Sequence, residues 1–238
     1  ANEDLEALRD AGRDEGNEYE FQWNVHSMVS MLIAVLLGLI QGVTEFLPIS
    51  SSGHLVLAHA LLPPLSVDEL AFDVLLHLAT VCAVIIALWS DVRRLLAGVV
   101  AWLARRPTVD SRLAGWLILG SVPAALVGAL FGSTIEARLR SPGVVVATLT
   151  AVALLFFWIE RRSRGSRAMT DVTWRDSVGI GIAQAFALIP GVSRSGITIV
   201  AGLASGLQRA AAARFSFLLA IPAIAGAAVV ELPALGRE

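Results

Sequence analysis

The chain contains no lysine: all 18 of its basic residues are arginine. We read that as composition bias rather than function. There is one cysteine, Cys82, so neither a disulfide nor a Cys-ligated metal site can form within one chain. In the middle of an apolar run, Cys82 is expected to be a small buried hydrophobe. Charge is scarce too, at 16% of residues against 56% hydrophobic, with a mean hydropathy of +0.72. Soluble domains carry about 25% charged residues, so an ordinary soluble fold is excluded. The first residues also lack the basic start and apolar core of a signal peptide. Residues 1–27 hold eight acidic side chains against Arg9 and Arg13. They are expected to form a solvated, disordered or non-native tail, with Met28 and Met31 as candidate native starts.

What is abundant is long apolar sequence. A membrane-crossing helix needs about 20 residues, and clean candidates lie at 70–89, 113–132, 144–158 and 215–232. Two other apolar stretches, 29–60 and 178–207, are interrupted by Pro, Gly, Ser and charge. Arg93, Arg94, Arg105, Arg106 and Arg112 follow the first clean span, and Arg161, Arg162, Arg164, Arg167 and Arg175 follow the third. Two spans separate the clusters, so they share a side, which the positive-inside rule makes cytoplasmic. The turn holding Glu136, Arg138 and Arg140 is then external. Trp89, Trp158 and Trp174 fit interfacial anchoring at the cytoplasmic ends.

The interrupted stretches are related. Gly38 and Gly181, Gln41 and Gln184, Gly53 and Gly196, and Phe72 and Phe215 are each 143 positions apart, as are the Leu75-Leu76 and Leu218-Leu219 pairs. This is an internal repeat. Three spans lie between the copies, so the second enters the membrane inverted. The expected fold is an all-α polytopic membrane protein with inverted-topology repeats, each a re-entrant helix–loop–helix followed by transmembrane helices. The first repeat is 28–175 and the second 176–238, with Pro48 and Pro190 ending half-helices and Gly53 and Gly196 admitting the turns. Kinked full-length spans are the competing reading. Counterparts of 113–132 and 144–158 are expected near positions 256 and 287, beyond residue 238, so the second repeat reads as truncated.

If the loops meet, their polar residues pool: Gln41, Glu45, Ser50, Ser51, Ser52 and His54 with Ser193, Arg194, Ser195 and Thr198. Ionisable side chains at membrane depth are costly and are functional candidates for that reason. Arg194, its flanking serines and a half-helix N-terminus suit an oxyanion such as phosphate. Ser51 and His54 suit a nucleophile and its proton-transfer partner. Glu45 could orient the histidine or hold a divalent cation shared with phosphate. Each also has a plain structural reading. Serines bond back to their own helix, Glu45 and Arg194 could form an ion pair between repeats, and Asp73 and His77 could be a local polar pair at i, i+4. His59 and His26 read as ordinary.

EFLPISSSGH at 45–54, with Gln41 four residues before Glu45, resembles the first signature of the undecaprenyl-diphosphate phosphatases of the bacitracin-resistance type. PGVSRSGIT at 190–198 is similar to their second, and FDVLLHLAT at 72–80 extends the likeness, which runs from about residue 30 to 238. The resemblance implies hydrolysis of a polyprenyl diphosphate to the monophosphate and inorganic phosphate, recycling the carrier of cell-envelope glycan synthesis and conferring bacitracin resistance. It implies Mg²⁺ or Ca²⁺ as cofactor and a multi-pass plasma-membrane location with the site facing outward. Its partners are the lipid diphosphate and membrane lipids, a homodimer being allowed and nucleic acid not. Carried over, Glu45, Ser51, His54 and Arg194 are catalytic, and Gln41, Ser50, Ser193, Ser195 and Thr198 bind substrate. Glu45 would also be the metal ligand. Either Ser51 or His54 is the nucleophile. The competing class is a polyprenyl-phosphate transporter, which needs the anion site but no nucleophile.

Overall fold

The computed structural model describes residues 27–64 and 68–235; the acidic tail, His26 included, lies outside them except for Ser27. The chain runs α1 (Ser27–Phe46), α2 (Ser51–Leu61), α3 (Glu69–Ala87), α4 (Trp89–Leu103), α5 (Val109–Leu139), α6 (Pro142–Arg162), a 3-10 turn (Met169–Asp171), α7 (Trp174–Phe186), α8 (Arg194–Ala204) and α9 (Arg209–Leu235). No strand forms among the described residues; one isolated bridge joins Arg167 to Leu207. Helices α1, α5, α6 and α9 are each long and apolar enough to cross a membrane.

The starts of the helices follow local chemistry. Asp68 caps α3 by accepting from the Ala71 N–H at 2.8 Å, and Ser141 caps α6, which opens on Pro142. Thr173 and Asp176 form a reciprocal capping box at α7. Ser50 and Ser193, 143 positions apart, cap α2 and α8 in the same way, accepting from Gly53 and Gly196.

Two cores organise the bundle. The larger gathers Leu113 and Leu117 of α5, Ile180 of α7, Ile199 and Leu203 of α8, and Phe215, Leu218 and Leu219 of α9. The smaller joins Ile33 and Leu37 of α1 to Leu55 of α2, with Phe72 and Leu76 of α3 against them. Where α5 crosses α7 the backbones nearly touch. A Cβ on Gly181 would run into the Gly120 carbonyl, and Ser177 donates to the Trp116 carbonyl at the same crossing. Small residues at a crossing are how helices approach when lipid is as apolar as the side chains.

Four expectations change. The span expected at 70–89 ends at Ala87, where α3 turns 87° into α4, so the arginine-bearing segment after it is helical rather than a loop. Asp91 and Gly98 of α4 are buried, Gly98 against Asp110 and Ser111 of α5. Cys82 is exposed, not buried. The half-helices stop at Phe46 and Phe186, before the prolines, and Ser50 (φ 67°) and Gly191 (φ 88°) make the turns. Gly53 and Gly196 lie inside α2 and α8. Finally, α1 has 20 residues against 13 in α7, so the first interrupted stretch opens with a full-length helix.

Candidate active site

The two interrupted loops abut. A Cβ on Gly53 would stand 3.2 Å from the Gly191 Cα, and one on Gly196 would stand 3.3 Å from the Pro48 carbonyl oxygen. Since Gly191 lies 143 positions after Pro48, as Gly196 does after Gly53, the contact is reciprocal between the copies. Thr148 of α6 donates to the Pro190 carbonyl at 2.7 Å and holds the second loop from behind.

Glu45, at the end of α1, is the centre of the polar cluster and is 7% exposed. It takes the Arg194 guanidinium on one oxygen and the Ser51 hydroxyl on the other. Gln41, one turn earlier, donates its amide to the second oxygen at 3.1 Å. Arg194 also donates to the Ser216 carbonyl at 3.3 Å, and Thr198 shares a 2.6 Å hydrogen bond with the Ser216 hydroxyl. Ser195 donates to the backbone carbonyls of Glu45 and Leu47, both at 3.3 Å. Ser50 and Ser193 spend their oxygens on the helix caps. Ser52 meets Ser50 at 3.4 Å, as Ser195 meets Ser193 at 3.3 Å.

His54 stands apart from this knot. Its Nδ1 lies 2.7 Å from the Ser50 carbonyl, which can only accept, so the hydrogen is on Nδ1 and Nε2 carries the lone pair of the neutral ring. The ring borders a pocket of about 310 Å³ between the loops and α6, with Ser193 on its rim. Ser51 and His54 each commit their donor elsewhere, Ser51 to Glu45 and His54 to Ser50.

Residues outside the two signatures are drawn in as well. Ser216 of α9 backs Arg194 and Thr198; it sits 143 positions after Asp73, the one sequence signal for it. His77 donates from Nδ1 to the Asp73 carbonyl at 2.7 Å, and its Nε2 comes 3.9 Å from Glu45. Asp73, 8% exposed, binds His59 at 3.0 Å and Arg140 at 3.1 Å. His59, which reads as ordinary in sequence, therefore belongs to a half-buried polar cluster around Asp73.

For a divalent cation, the donor set offers one carboxylate. No group of three His, Cys, Asp or Glu clusters to hold a metal among the described residues. The Gln41 side-chain oxygen is buried beside Glu45 without a hydrogen-bond partner. The Gln41 oxygen and the Glu45 carboxylate are hard donors of the kind a divalent cation takes, though too few to hold one by themselves.

The family model described as "Bacitracin resistance protein BacA" matches residues 34–237. The chain belongs to the BacA family. A relative from Moorella thermoacetica named undecaprenyl-diphosphatase is 46% identical over 209 residues, covering 87% of this chain and 78% of its own. One of the same name from Rubrobacter xylanophilus is 49% identical over 210 residues, covering 86% and 77%. A third, from Idiomarina loihiensis, is 42% identical over 211, covering 88% and 79%. The matched BacA region spans both loops, so the whole Glu45–Arg194 cluster lies inside it.

Proposed function

We propose that this BacA-family chain is a membrane phosphatase that hydrolyses a polyprenyl diphosphate, as the names of its relatives indicate for them, to the monophosphate and inorganic phosphate. The observation that carries the reading is the buried Glu45 carboxylate, which takes a serine hydroxyl while Gln41 and Arg194 fix its position. A nucleophile bonded to a base that a further group orients is the general signature of covalent catalysis.

The terminal phosphate enters the pocket beside His54 and Ser193, toward the start of α8, where the helix N-terminus and the Arg194 charge favour an anion. Ser51 Oγ attacks the terminal phosphorus and its proton passes to Glu45. The bond from phosphorus to the bridging oxygen breaks and the monophosphate leaves as the anion. Water, giving a proton to the His54 Nε2 lone pair, then cleaves the phosphoserine; Ser51 recovers its proton from Glu45 and phosphate is released. A divalent cation held by Glu45 and Gln41 with the substrate would neutralise diphosphate charge. The reciprocal Gly53–Gly191 and Gly196–Pro48 contacts support an inverted-repeat origin for the site. The arginine distribution supports its opening to the external face of the plasma membrane, where the enzyme would recycle the lipid carrier and protect against bacitracin.

The test is phosphate release from farnesyl diphosphate by the purified chain in detergent with Mg²⁺ or Ca²⁺. Ser51→Ala, His54→Ala and Arg194→Ala should each lower kcat by at least about 100-fold, and chelation should abolish release. Binding of lipid phosphate that depends on Arg194, with no release by the parent, would replace the enzyme with a transporter.

A further inference from the structure

The pocket beside His54 has two unlike ends. The loop end carries His54, Ser193 and the backbone around Gly191; the opposite wall is α6, through Leu149, Thr150, Val152 and Ala153. These four sit at i, i+1, i+3 and i+4, on one helix face. Thr150 donates its hydroxyl to the Val146 carbonyl at 2.8 Å, which leaves the wall no free hydroxyl donor. With Leu149, Val152 and Ala153 beside it the wall is mostly apolar. Thr150 and Ala153 are exposed and small, whereas Val146 one turn before them and Leu154 and Phe157 after them on the same side of the helix are large and 56%, 65% and 56% exposed. The effect is a shallow dip in that side of α6 between larger side chains. One turn beyond Ala153, Phe156 packs against the main core and blocks that direction.

We propose that this face of α6 is the subsite for the isoprene units that follow the first, and that the side-chain volume at Ala153 sets how the chain is accepted. The inference rests on the phosphatase reading of the loops. Once the diphosphate lies between Arg194 and His54, its chain must leave through a wall that is mostly apolar and reaches the outer surface of the bundle. The opposite side is occupied by the polar knot and by Ser216 and Phe217 of α9, the latter in edge contact with Phe46 at 6.0 Å between ring centroids.

The experiment compares phosphate release from a five-carbon allylic diphosphate, farnesyl diphosphate and the 55-carbon substrate in Ala153→Trp and in the parent. Ala153→Trp should raise KM for the two longer substrates at least about tenfold more than for the short one. Because this is a ratio within one protein, a partly inactive preparation does not disturb it. In parallel, a farnesyl diphosphate analogue with a diazirine on its second isoprene unit is photolysed on the parent, and the labelled peptide is mapped. Label on 142–162 supports the subsite, including when Ala153→Trp does not fold. Equal KM changes for all lengths, or label confined to other helices, would overturn it. A parent that releases no phosphate but labels on α6 would instead discard the phosphatase and keep the subsite.

Discussion

Asp73 shows how one carboxylate can order a site it does not touch. It accepts His59 from α2 and Arg140 from the turn before α6, and its own backbone carbonyl fixes the ring of His77, whose other nitrogen faces Glu45. A buried acceptor that loses part of its bonding costs about 1–3 kcal/mol. Asp73→Asn should therefore lower the unfolding temperature in detergent. Combined with Arg140→Gln it should destabilise by less than the two changes summed, because they break one contact. An unchanged melting temperature would remove the clamp. At this scale the sequence was partly legible. Glu45 and Arg194 stand out because charge in apolar sequence is rare, and Ser51 and His54 because they sit in a turn. His59 did not stand out, since a lone histidine has no local sign of a partner 14 residues away.

At the scale of elements, the turns between half-helices decide what the polar residues can reach. Gly191 sits at φ 88°, and a Cβ there would run into the Thr148 hydroxyl and the Val145 backbone. Gly191→Ala is expected to cost about 1–3 kcal/mol and to lower phosphate release with it. Gly42→Ala on α1, where a Cβ meets nothing within 4 Å, should be neutral or slightly stabilising. Thermal unfolding of both variants checks the contrast. Equal behaviour would show that the second loop is not held in this conformation. The helices themselves were readable from apolar run length and caps, and the repeat from its constant spacing. The bend at Leu88 was not, because 70–103 is apolar enough to look like a span followed by a polar loop. The turn-forming glycine was misplaced for a related reason: Gly53 and Gly196 serve close packing, while Ser50 and Gly191 adopt the left-handed conformation.

For the whole molecule, the arginine distribution and the helix order make a joint prediction about sidedness. Arg106, after α4, and Arg138, at the end of α5, are exposed at opposite ends of one 31-residue helix, about 46 Å long at 1.5 Å per residue. In a Cys82→Ala background, a membrane-impermeant maleimide should label Arg138→Cys on intact cells and Arg106→Cys only after permeabilisation. The reverse pattern would place the pocket beside His54 on the cytoplasmic side.

The sequence by itself determined that this is a helical chain of membrane-crossing length, that two related polar loops interrupt it, and that those loops hold an arginine, a carboxylate and a serine–histidine turn. Such properties are local: hydropathy, helix-breaking residues and motif spacing are all written along the chain. Only the tertiary structure decided that Arg194 pairs with Glu45 across 149 positions, that Ser51 bonds Glu45 instead of His54, and that α6 walls the pocket. It alone also placed Cys82 on the exposed face of α3. The reason is physical. Where lipid and protein interior are equally apolar, hydropathy does not distinguish the face of a helix that meets its neighbours from the face that meets the bilayer. That choice is made by packing, through small residues at crossings and hydrogen bonds between distant loops.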